Sequence, residues 1–202
     1  MSAVGAGRIS TKRMVELALL AGMAIAVHAV EDRIPVPLSL PGAKLGLANA
    51  MALAALSCFS FRDALIVNLV RTFLGSLIAG TFLTFAFFLS FSGAVASTVV
   101  MWTVMRLQLG LGMAGVSVCG AVTHNLTQLA AAIAITQEPH LLAYLPYLLL
   151  YAVPAGVFNG LVAEKLGLAL KESGRGIGGG KNPKRSDKAT CSLPENTEQY
   201  RA

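Results

Sequence analysis

The large polar side chains of this 202-residue chain stand inside its most apolar stretches, and any chemistry has to be sought there. His124, Asn125 and Gln128 fall together in GAVTHNLTQ (120–128). On a helix His124 and Gln128 share a face at i, i+4, while Asn125 and Gln128 meet at i, i+3. Arg71 lies in NLVRTFLGS (68–76), and Lys44 and Asn49 lie in PGAKLGLAN (41–49). Two cations, an imidazole and several amides are above all hydrogen-bond donors, suited to holding an anionic or carbonyl-rich small molecule. They form no nucleophile–base pair and no ligand set, so no catalytic residue, metal or cofactor is expected. Cys58, Cys119 and Cys191 make no CxxC and no even set, which argues against a disulfide framework or a metal site. No GxxxxGK[ST] occurs either, so any ATP chemistry would belong to partners.

Each of these residues also has a plain structural role open to it. Arg71 can bond to helix carbonyls or to a neighbour such as Asn68. Asn, Gln and His commonly bridge helices within a membrane. Lys44, at a helix end, can extend its amine to the headgroups.

The elements that position them follow from composition. The chain is 55% hydrophobic and only 13% charged, with a mean hydropathy of +0.67; a soluble domain carries roughly 25% charged residues. The first 13 residues hold three charges and the stretch from Lys171 to Ala202 holds eleven, leaving 12 for Met14 to Leu170. Runs 72–105 and 107–137 carry none, and each exceeds the roughly 20 apolar residues of a bilayer span. The expectation is an all-α integral membrane protein. It divides into a basic N-terminus (1–13), a six-helix transmembrane domain (14–170) and a disordered basic tail (171–202). Charges, prolines and glycines place the helices at about 14–30, 45–60, 63–80, 82–105, 115–136 and 141–163.

Six spans put both ends on one side. With the N-terminus inside, 13 of the 16 basic residues face the cytoplasm and only Arg33 and Lys44 face out, which orients both termini inward in the cytoplasmic (inner) membrane. The excess base in the tails thus serves topology, and nucleic acid is not an expected partner. Arg71, the remaining base, lies roughly 13 Å into its helix at 1.5 Å per residue, too deep for easy snorkelling. In this orientation Lys44 sits at the outer lip with Asn49 below it. His124 and Gln128 rise through the outer half and Arg71 approaches from beneath, so that one outward-facing cavity for a small-molecule substrate is expected.

Two further features accompany the spans. Pro35, Pro37 and Pro41 make Glu31–Gly42 a stiff external loop. Ala18, Gly22 and Ala26 repeat every four residues along the first helix, a stripe that lets helices approach closely, whether inside this bundle or on another membrane protein.

The segments PGAKLGLAN and GAVTHNLTQ, with Arg71 in NLVRTFLGS, resemble the signatures of the Gx transporter family, also labelled heptaprenyl diphosphate synthase component I. The resemblance covers about residues 14–168. It implies likeness to the S components of energy-coupling-factor importers: six-helix proteins with both termini cytoplasmic that take substrate from outside. In those proteins a small-residue stripe on the first helix docks a transmembrane coupling subunit driven by ATPases, and Ala18, Gly22 and Ala26 match it. The other label implies a membrane component of polyprenyl diphosphate synthesis. Such a component would be non-catalytic, because chain elongation holds diphosphate through Mg²⁺ on clustered carboxylates and this chain has one adjacent acidic pair, Glu31-Asp32, followed by Arg33. A structural subunit of a membrane redox complex is a third possibility.

Overall fold

The computed structural model describes residues 11–31 and 48–176, all of them helical or in short connections. Six α-helices follow one another: α1 Thr11–Glu31, α2 Ala48–Cys58, α3 Phe61–Ile78, α4 Phe85–Arg106, α5 Met113–Thr136 and α6 Leu145–Gly176, with a 3-10 turn at Pro139–Tyr144 before α6. No strand occurs among the described residues. Four segments are long and apolar enough to cross a membrane: Arg13–Val30, Phe85–Arg106, Met113–Thr136 and Pro139–Glu172. Their outward faces carry large apolar side chains such as Leu19, Val30 and Leu150, each at least 60% exposed. An exterior of this kind is matched to hydrocarbon rather than water, and the protein is built as a multi-pass membrane protein.

The remaining two helices are less simply membrane-like. α3 spans 18 residues, but Arg62, Asp63 and Arg71 lower its hydropathy. It opens on a capping box: Ser60 Oγ accepts from the Asp63 backbone N–H, and the Asp63 carboxylate accepts from the Ser60 N–H at 3.0 Å. The same carboxylate takes the Arg13 guanidinium of α1, tying the first turns of α1 and α3 together. α2, with 11 residues, is about 16 Å long, roughly half of a 30 Å core. Every residue from Asn49 to Ser57 is buried, because α1, α3, α4, α5 and α6 all pack around it. Its run of Ala, Leu and Met is apolar on all sides, as a helix with no exposed face must be. Leu20 and Ala24 of α1, Leu53 of α2, Val67 of α3, Met101 of α4 and Ala163 of α6 meet around it in the core.

The tightest seam joins α5 to α6. A methyl group on Gly160 would stand 2.4 Å from the Ala114 Cα, and one on Gly156 would stand 2.7 Å from the Val118 Cα. Gly156 and Gly160 thus form a small-xxx-small motif that lets two backbones nearly touch. α6 has 32 residues, about 48 Å of helix, and reaches Gly176. Residues 171–176 are therefore helical where the sequence suggests the start of the tail, since the Leu and Lys of LGLALKES favour helix and no breaker stops it before the glycines. The remainder of the tail, the Pro-rich loop beyond Glu31 and Lys44 lie outside the described residues.

Candidate functional site

Polar groups are concentrated where α3 meets α4. Asn68, 1% exposed, donates through Nδ2 to the Ala94 carbonyl at 3.0 Å and to Thr98 Oγ1 at 2.8 Å. Thr98 in turn donates to Ala94 O, and Thr72 donates to Asn68 O, both at 2.8 Å. Asn68 is thus committed to α4. Arg71 lies one turn along α3 and is 4% exposed. A guanidinium keeps its charge in protein surroundings, so α3 holds a permanent cation within the bundle.

The three polar residues of α5 do not all face the same neighbour. His124 and Gln128 both lie against Gly93 of α4, where an added methyl would stand 2.8 Å from His124 Nδ1 and 3.0 Å from Gln128 Cγ. Asn125 turns the other way and donates to the Leu148 carbonyl of α6 at 3.1 Å. Asn49, on α2, is buried with its Oδ1 lacking a hydrogen-bond partner among the described residues. α4 packs against both α3 and α5, so Arg71 and His124 lie on different neighbours of α4. On α1, Ala18, Gly22 and Ala26 are all exposed, and nothing lies within 4 Å of a methyl built on Gly22; the stripe faces away from the described helices.

A cavity of about 310 Å³ opens at the end of the bundle where α3 turns into α4. His28 of α1, Thr72 and Ser76 of α3, Thr81 of the turn, and Phe87 and Ser90 of α4 line it. The turn is shaped by Gly80 and Leu83 in the left-handed region, at φ 68° and 59°. Gly75 makes room for the imidazole, since a methyl there would stand 2.6 Å from His28 Cδ2. None of the five described residues singled out in the sequence lines this cavity, although Arg71 is the chain neighbour of Thr72.

A family model for heptaprenyl diphosphate synthase component I matches residues 20–166. The chain belongs to that family. No curated protein and no solved structure matches it. The stretch shared with heptaprenyl diphosphate synthase component I begins inside α1 and ends inside α6, and so takes in the α3–α4 seam, the His124 face and every wall of the cavity. Among the described residues of this component I protein, no three His, Cys, Asp or Glu side chains come together as they would to hold a metal. The described carboxylates thus form no cluster of the kind that holds Mg²⁺ and diphosphate in prenyl elongation.

Sequence reasoning missed His28, Thr72, Ser76, Thr81 and Ser90 as a group, and Asn159 of α6, which is 1% exposed. Thr72 and Ser76 sit at i, i+4, a visible spacing. It carries little signal on its own, because Ser and Thr inside helices commonly turn back to their own carbonyls, as Thr72 and Ser76 do here.

Proposed function

We propose that this component I protein is the membrane-embedded substrate-binding subunit of a transporter, similar to the S components of energy-coupling-factor importers. It would take a small anionic or carbonyl-rich molecule from outside. One observation carries the reading: Arg71 is 96% buried near the middle of α3, in a chain whose long helices are apolar, and an intramembrane arginine of this kind marks a functional pathway more often than simple packing. Lys44, Asn49, His124, Asn125 and Gln128 are the further substrate contacts of this reading. Its topology is six crossings with both ends cytoplasmic, α2 and α3 completing the set. The thirteen-to-two distribution of basic residues supports that orientation. The outward position of Ala18, Gly22 and Ala26 suits docking of a transmembrane coupling subunit that works with ATPases.

Untargeted mass spectrometry of small molecules that co-purify with the full chain tests the reading. The expected result is an anionic or carbonyl-rich compound that is retained by the wild type and lost from Arg71→Ala. Absence of any retained compound, together with no uptake defect when the protein is removed from cells, would overturn it.

The family's own description favours a second reading, a non-catalytic membrane partner in heptaprenyl diphosphate synthesis. Co-purification with a soluble prenyl synthase, and loss of membrane-associated synthase activity without this chain, would select it over the first.

A further inference from the structure

The α1–α3–α4 cavity stands apart from Arg71 and its associated residues, and its walls have a chemistry of their own. Thr72 Oγ1 and Ser76 Oγ give their protons to Asn68 O and Phe73 O, both at 2.8 Å. With those protons committed, the two oxygens offer lone pairs as acceptors. Thr81 and Ser90 add hydroxyls that can donate or accept, and His28 adds an imidazole held by its seat on Gly75. Among the described residues, no Asp, Glu, Lys or Arg lines the cavity. An ion held by these residues alone would lose its hydration with no opposite charge to replace it, a cost of several kcal/mol in low-dielectric surroundings, so an uncharged occupant is favoured.

The rest of the lining is apolar. Phe87 is 6% exposed and is fixed by ring contacts with Phe73 at 5.4 Å, Phe82 at 5.2 Å and Phe91 at 6.0 Å. Ala79 and Ala86 complete the apolar part. A volume of about 310 Å³ is at the small end of ligand pockets.

The geometry points to a binding site for an uncharged, polyhydroxylated small molecule or headgroup. Its hydroxyls donate to Thr72 and Ser76 and exchange hydrogen bonds with His28, Thr81 and Ser90, while its apolar C–H face lies on Phe87. The site does not depend on the Arg71 reading. A free sugar and the sugar headgroup of a neutral glycolipid present the same chemistry to it.

The test uses the purified full chain in nanodiscs. Equilibrium dialysis measures binding of glucose, glucose 6-phosphate and glucosamine, and native mass spectrometry measures retention of glucosyl-diacylglycerol. Glucose or the glucosyl lipid is expected to bind, with the phosphate and the amine at least tenfold weaker; binding by the lipid alone assigns the headgroup as the source. Thr72→Val and Ser90→Ala are each expected to weaken the neutral probe roughly two- to tenfold, the loss of one hydrogen bond, with an unchanged melting temperature. Arg71→Ala is expected to leave neutral-probe binding unchanged, which separates failure here from failure of the transporter reading. The inference is overturned by no binding of either neutral probe, by equal binding of the charged probes, or by wild-type affinity in both cavity variants.

Discussion

The imidazole of His124 rests on the bare Cα of Gly93, so closely that a methyl group on Gly93 would stand 2.8 Å from Nδ1 and 2.9 Å from Cε1. One missing side chain on α4 thus sets the position of a polar ring on α5. Gly93→Ala should displace the ring together with Gln128, and overpacking of this kind costs about 1–3 kcal/mol. Thermal unfolding of the purified variant in detergent should show that loss. An unchanged melting temperature would mean that both side chains move aside without cost.

Gly22 and Gly160 are both glycines of small-residue stripes and should behave oppositely. Gly160→Ala drives a methyl into the Ala114 backbone of α5, 2.4 Å away, and neither helix can yield easily, so a loss of about 1–3 kcal/mol is expected. A methyl group on Gly22 meets nothing within 4 Å, and Gly22→Leu should change stability by about 0.5 kcal/mol or less. If α1 docks a coupling subunit, the same substitution should abolish the complex in a pull-down. Monomer unfolding by Gly22→Leu would show that the stripe is needed inside the bundle.

Arg13 and Asp63 join α1 to α3 through an ion pair that is open to solvent on one side, with side-chain exposures of 41% and 9%. Screening limits such a pair to about 0.2–1 kcal/mol. Asp63 also serves the capping box with Ser60, so Asp63→Ala should cost more than Arg13→Ala, by about 1 kcal/mol. A double-mutant cycle read by thermal unfolding separates the two contributions. The coupling part should shrink in high salt while the cap part persists.

Binding and stability should separate at Arg71. A charge-assisted hydrogen bond to an anionic substrate contributes about 1.5–3 kcal/mol, so Arg71→Ala and Lys44→Ala should each weaken binding roughly ten- to a hundredfold. Arg71→Lys keeps the charge without the planar fork and should recover only part of it. His124→Ala and Gln128→Ala remove neutral partners and should cost about 0.5–1.5 kcal/mol each. Unchanged affinity in both Lys44→Ala and Arg71→Ala, measured on folded protein, would end the anion-site reading.

Topology can be read from one thiol. In a variant with Cys58 and Cys119 replaced, Cys191 should resist a membrane-impermeant maleimide in intact cells and react after permeabilisation. Labelling in intact cells would place the C-terminus outside.

The sequence was most informative where charge is absent. The run 72–105 carries no charge, and the helix expected at about 82–105 is found as α4 at Phe85–Arg106; the one expected at 115–136 is α5 at Met113–Thr136. The sequence places a helix at about 45–60 but does not show its burial as α2, and that has a physical cause. A short helix apolar on all sides reads the same whether lipid or protein surrounds it, and only the packing of five other helices tells the two apart. The candidate site was legible as residue types but not as directions. His124 and Gln128 share the α4-facing side as their i, i+4 spacing predicts, yet Asn125 points to α6, because adjacent helical positions diverge by about 100°. The hydroxyl cavity was illegible, since it draws on three helices and a turn that are far apart in the chain.

The burial of α2 has a consequence for how the protein is made. At 11 residues this helix is too short to partition stably into lipid by itself, and one of its principal neighbours, α6, is synthesised last. As the nascent chain emerges, α2 has no finished surroundings until α6 arrives, so its final seating must wait until α6 has been made. A ribosome stalled before α6 would leave an incomplete bundle with α2 poorly anchored, and membrane quality-control proteases should find their entry point there.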